Sequence, residues 1–110
     1  MMPNEPAGEA QPASPPMGEA EAAFWVFLEV ANECRLPATD GQRLIGISRA
    51  NWYNWMNGKN KPFAYRAGRI RRATKHLRAC LAEKALPALT GAKRRLVIAI
   101  IIEQLIKESE

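Results

Sequence analysis

Apolar positions recur at helical spacing along most of this chain. Between Glu19 and Arg35, the residues Phe24, Phe27, Leu28, Ala31 and Cys34 follow one another every three or four positions. That stripe predicts an amphipathic helix. Glu19 and Glu21 suit the positive end of its dipole, and Leu36-Pro37 ends it. Trp25 lies off the stripe, and core packing on a later helix is favoured over contact with a partner. A short second helix is expected from about Thr39 to Ile45. A third runs from Arg49 to Asn57, where Trp52, Trp55 and Met56 form one buried face.

Phe63, Ala67, Ile70, Thr74, Leu77 and Leu81 then mark a long helix from Pro62 to about Leu86. Pro87 to Gly91 is a break, with Thr90 placed to cap the next segment. The last element, Ala92 to Glu108, carries Leu96, Val97, Ile98, Ile100, Ile101, Ile102, Leu105 and Ile106. Its β-branched runs favour strand, and Lys93, Arg94 and Arg95 at its start oppose a helix dipole. Its length and its lack of apolar–polar alternation favour helix. The apolar face is too wide for one contact, so the element either dimerises or closes the monomer core.

The expected architecture is therefore all-α: a compact five-helix domain over residues 19–110 with a central helix-turn-helix. Met1 to Gly18 holds Pro3, Pro6, Pro12, Pro15 and Pro16 among Ala, Gly and Glu. Such a segment buries too little apolar surface to offset ordering, and a disordered tail is expected.

Charge changes the picture. Ten of the 16 Lys and Arg residues lie between Asp40 and Cys80, with one acid among them. Met1 to Thr39 holds one basic and six acidic residues. A basic centre of this kind is the footprint of a polyanion partner.

The stretch that concentrates the chemistry is Gly46 to Pro62, Gly-Ile-Ser-Arg-Ala-Asn-Trp-Tyr-Asn-Trp-Met-Asn-Gly-Lys-Asn-Lys-Pro. Gly46 permits the positive φ of a sharp turn. Ile47 plugs the gap between two helices. Ser48 is an N-cap for the amide of Ala50 or Asn51. Gly58 stops the helix and Pro62 prevents its resumption. The outer residues suit DNA, because Arg grips guanine and Asn grips adenine in bidentate fashion. Lys59 and Lys61 lie just past the helix, where phosphates are held. The plain alternative is an amphipathic helix with a solvated polar face.

These residues resemble the second half of an Xre/Cro-type helix-turn-helix, the phage-repressor-like DNA-binding family that includes Xre-type antitoxins. The resemblance covers about Thr39 to Pro62. It implies that Gly46 is the turn glycine and that Ile45, Ile47, Trp52 and Trp55 pack. It implies base contacts from Arg49, Ala50, Tyr53 and Asn54. Phosphate contacts are expected from Ser48, Asn57, Lys59, Lys61, Arg66 and Arg69. The chain departs from the family at Gly41 and Gln42, where an aliphatic residue and a small alanine are usual. The first motif helix is thus either short and irregular, or crosses its neighbour differently.

Along the following helix, Arg66, Arg69, Arg71, Arg72, Lys75, His76 and Arg78 spread round more than half the circumference, so they cannot all meet one duplex. For each of them a phosphate contact and a solvated charge both stay open.

The function expected is a sequence-specific double-stranded DNA-binding transcriptional regulator, phage or bacterial repressor-like, acting as a homodimer. The alternative is an antitoxin or phage-encoded module that binds a partner protein through its C-terminal half. An RNA-binding protein using the arginine-rich helix is a third reading, weakened because Trp52 and Trp55 are expected to be buried rather than free for base stacking. An enzyme is not expected: the single histidine has no acidic orienter, and there is no paired-carboxylate cluster or phosphate-cradling glycine loop.

No cofactor and no metal site are expected, since zinc needs about four Cys or His ligands and the chain has two Cys and one His. Isolated Cys34 and Cys80 suggest a reducing cytoplasm. The apolar run Leu96 to Ile102 is far below the roughly 20 residues that span a membrane, and the N-terminus has no signal-peptide pattern.

Overall fold

The structure is a computed structural model, and it describes residues 18–83, 86 and 89–108. Among these the fold is all-α, with five helices and one short 3-10 turn. The helices are α1 (Glu19–Glu33), α2 (Ala38–Ile45), α3 (Arg49–Met56), α4 (Ala67–Ala82) and α5 (Gly91–Glu108), with the 3-10 turn at Ala64–Arg66. Of the tail expected from Met1 to Gly18, all but Gly18 lies outside the described residues.

α1 buries Phe24, Phe27, Ala31 and Cys34 as its spacing predicts, together with Ala20, Ala23 and Val30. It packs most extensively on α4. It ends at Glu33 rather than Arg35. Arg35 takes a left-handed φ of 58°, donating its N–H to the Asn32 carbonyl while Leu36 donates to Ala31. This is the paired closure that satisfies a helix's last carbonyls, usually built on glycine. Cys34 stays in the core, its thiol 3.8 Å from the Leu77 carbonyl. Burial first, then Cys80 and Glu33, pushes that thiol up to about 11.

α2 is a regular eight-residue helix, which settles the question posed by Gly41 and Gln42. A Cβ on Gly41 would lie 2.6 Å from Trp52 Cη2 and 3.1 Å from Cζ3. The glycine is there because the Trp52 ring occupies the space an alanine would need. A larger side chain on one helix is matched by a missing one on the other.

α4 differs from its sequence reading at both ends. Phe63 is extended, with ψ of 149°, and the 3-10 turn intervenes before the α-helix begins at Ala67. The stripe from Ala67 onward is buried at Ile70, Thr74 and Leu77, with the Thr74 hydroxyl donating to the Ile70 carbonyl at 3.0 Å. Phe63 is out of phase with it and stands 68% exposed. The helix stops at Ala82, and Leu86 reaches the core from outside it. Of the break expected over Pro87 to Gly91, residues 87 and 88 lie outside the described residues.

α5 is a helix despite its β-branched runs. Ile98, Ile101 and Leu105 are buried and close the core against α2 and α4. Two ion pairs bind it along its length: Arg94 to Asp40 of α2 at 3.6 Å, and Glu108 to His76 of α4 at 3.2 Å. The first gives one of the unfavourably placed cations at the helix start a carboxylate partner. Leu96 and Ile100, one turn apart, face outward. No helix among the described residues is long and apolar enough to cross a membrane.

Candidate nucleic-acid interface

The turn between α2 and α3 is built as its sequence predicts. Gly46 adopts a φ of 70°, and the Ile47 N–H donates to the Gln42 carbonyl at 3.1 Å. Ile47 is half-buried and packs against the core. Ser48 caps α3, its hydroxyl oxygen accepting the Asn51 N–H at 3.1 Å. At the other end, Gly58 has a φ of 76°. Lys59 donates its N–H to Asn54 and Gly58 to Trp55, the same paired closure seen after α1.

An aromatic cluster fixes the inner face of α3. Trp52 meets Phe24 edge-to-face at 5.4 Å and Phe27 at 6.3 Å, while Trp55 meets Phe24 at 5.2 Å. Such perpendicular contacts add stability beyond their buried area. They also leave the helix little freedom to roll. Met56, expected on this buried face, is instead 41% exposed, and Trp25, expected in the core, is equally exposed. Both lie beside a groove of about 540 Å³ between α1, α2 and α3, where Leu28, Leu36 and Tyr53 also line the wall. The physical reason is saturation: Phe24, Phe27 and the two other tryptophans already fill the space under α3.

Of the four residues proposed for base contact, Arg49, Ala50 and Tyr53 are exposed and Asn54 is half-buried. Their spacing puts them on one side of α3, away from Trp52 and Trp55. The Arg49 guanidinium lies 5.8 Å from the centre of the Tyr53 ring. Ser48 and Asn57 stand at the two ends of the helix, Ser48 half-buried or better exposed at its hydroxyl and Asn57 exposed, where Asn57 also forms the cap. Lys59 is exposed just beyond, and Lys61 is exposed with its Nζ 3.8 Å from Glu21.

Arg66 and Arg69 are placed differently. Arg69 Nε donates to the Leu44 carbonyl at 2.8 Å, and its Nη2 approaches the Arg43 carbonyl at 3.5 Å. Arg66 Nη1 donates to the Gly46 carbonyl at 3.3 Å and lies over the Trp55 ring at 6.0 Å. Both guanidiniums therefore close the C-terminal end of α2, where cations also complement the helix dipole. Burial first, then Arg72 and Arg66, lowers the Arg69 pKa from its ordinary value. Sequence spacing carries no sign of this role, because the partners are backbone carbonyls 20 to 26 residues away.

The arrangement is a rigid outer helix face carrying hydrogen-bonding side chains, flanked by cations, on a scaffold locked from below. Comparison with family models, with curated proteins and with solved structures found no match. The functional reading therefore stands on these residues.

Proposed function

We propose that this protein is a sequence-specific double-stranded DNA-binding transcriptional regulator that acts as a homodimer. One observation carries the reading. The outer face of α3 presents Arg49, Ala50, Tyr53, Asn54 and Asn57 together, while its inner face is held by perpendicular aromatic contacts. A helix that enters the major groove needs this combination of fixed orientation and side chains that match base edges. Arg49, Tyr53 and Asn54 would read bases, and Ser48, Asn57, Lys59 and Lys61 would hold phosphates. In a dimer, two such helices would lie about 34 Å apart, one turn of DNA.

The test is selection and sequencing of bound fragments from random duplexes, followed by binding assays. Arg49→Ala and Asn54→Ala are expected to lose operator preference and keep residual nonspecific affinity. With about six phosphate contacts, the logarithm of affinity should fall with the logarithm of salt at a slope near −5. Variants as selective as the parent, or affinity indifferent to salt, would overturn the assignment.

A second reading has its own observation. Leu96 is 63% exposed and Ile100 lies exposed one turn further along α5. This apolar strip suits a second copy of the chain or a partner protein. A stoichiometric partner that co-purifies, with no operator selected, would favour the interaction module over the regulator.

A further inference from the structure

Phe63 and Tyr65 are the two most exposed aromatic side chains among the described residues, at 68% and 74%. Their rings lie nearly parallel, 11° apart, with centres separated by 5.9 Å. Arg66 covers the Tyr65 ring at 5.4 Å. Beside Phe63 opens a cavity of about 360 Å³ lined by Asn51, Trp55, Asn60, Lys61, Phe63 and Arg66. That volume falls within the usual range of small-ligand sites, about 300–1,000 Å³. Its walls offer two aromatic surfaces, two side-chain amides and two cations, with no acid among the described lining residues.

Those groups match one kind of ligand. A flat aromatic ring has a π-face to stack on Phe63, and its polar edge can meet the amides of Asn51 and Asn60. An adjoining phosphate can meet Lys61 and Arg66. Within a duplex, base faces are already covered by their neighbours, so a stacking platform is useful only to a base that has left the helix. Lys61 is held by Glu21 through a single long ion pair at 3.8 Å, which an incoming phosphate can replace.

We propose that this cavity takes one unpaired nucleobase of a single-stranded segment, stacked on Phe63 with Tyr65 as the backing ring. It rests on the DNA-binding reading only in placing that base beside the duplex contacted by α3. The platform supplies the exposed stacking surface that Trp52 and Trp55, both buried, cannot offer.

The test uses the full chain and three probes: a blunt duplex, the same duplex with a short 2-aminopurine-containing overhang, and the overhang strand alone. The overhang is expected to raise affinity over the blunt duplex by about 5-fold to 150-fold, the range for one stacked base. Its fluorescence should be quenched on binding. Phe63→Ala should abolish both effects, Phe63→Trp should retain them, and circular dichroism should show both variants folded. A deoxy overhang that outcompetes a ribo overhang assigns the base to DNA, and the reverse order to RNA; either supports the platform. Normal blunt-duplex binding without an overhang gain, or a gain that survives Phe63→Ala, overturns it and leaves the duplex reading standing. Strand binding lost in Phe63→Ala, with no blunt-duplex binding by the parent, overturns the duplex reading alone. No binding to any probe overturns both.

Discussion

Trp52 and Trp55 on one side of Gly58, and Phe63 and Tyr65 on the other, are drawn from the same class of side chain and meet opposite fates. The first pair lies on an α-helix, three residues apart, so both rings fall on one face and enter the core beside Phe24. The second pair straddles the passage from extended chain into a 3-10 turn. Two residues apart there, the rings stack on each other in solvent. Aromatic content alone does not decide burial; the period of the local backbone does. The inner pair then orients a surface, and the outer pair is one.

The sharpest way to break this contrast is Trp52→Ala. Removing a buried Trp costs about 3–5 kcal/mol, which is a large share of the 5–15 kcal/mol typical of a small domain. Thermal and urea melts should show a variant that is largely unfolded near body temperature. A melt close to the parent's would mean that Trp52 does not anchor α3.

Gly41→Ala probes the same anchor from the facing helix. The added methyl would sit 2.6 Å from the Trp52 ring, and that ring is wedged against Phe24 and Phe27. Overpacking of this kind costs about 1–3 kcal/mol. Combining it with Trp52→Leu should give less than the sum of the two losses, because the smaller side chain frees the space. Additive losses in the double-mutant cycle would show that the glycine matters for some other reason.

Much of this is legible in the chain. Gly46, Ser48 and Gly58 announce the limits of α3 because turns and caps depend on local chemistry. The five helices follow from apolar spacing, including α5, where length outweighs β-branching. Three things are not legible. Gly41 looks like a flaw until Trp52 is seen against it, since close approach of two helices leaves no local mark. Spacing assigns Met56 and Phe63 to buried faces, and Trp25 is expected to pack on a later helix. Spacing shows which residues share a face but not when the space beneath is full. Arg66 and Arg69 look like phosphate ligands because a cation that closes a distant helix end is the same in sequence as one that meets DNA.

Arg69→Met separates those two roles and is expected to have the next largest effect. A hydrogen bond from a charged group contributes about 1.5–3 kcal/mol. Arg69 is only partly buried, so solvent screening reduces the expected loss to about 1–2 kcal/mol. The melt should shift by that amount, while the salt slope of DNA binding stays at the parent value. A slope reduced by about 1, with stability unchanged, would return Arg69 to the phosphate contacts.

The smallest effect on stability is expected at the outer pair. Phe63→Ala and Tyr65→Ala remove rings whose surface is mostly in water, so each should change the unfolding free energy by no more than about 0.5 kcal/mol. The two changes should be close to additive, apart from the stacking between the rings themselves, which contributes roughly 0.5–1.5 kcal/mol where such pairs are well packed and less where they are open to solvent. A loss above about 1 kcal/mol from either substitution would place these side chains among the packing residues. The contrast with Trp52 would then collapse, and the exposed platform with it. A melt unchanged in both variants leaves the rings free of any structural duty, which is the condition for a surface whose role is to be covered by something else.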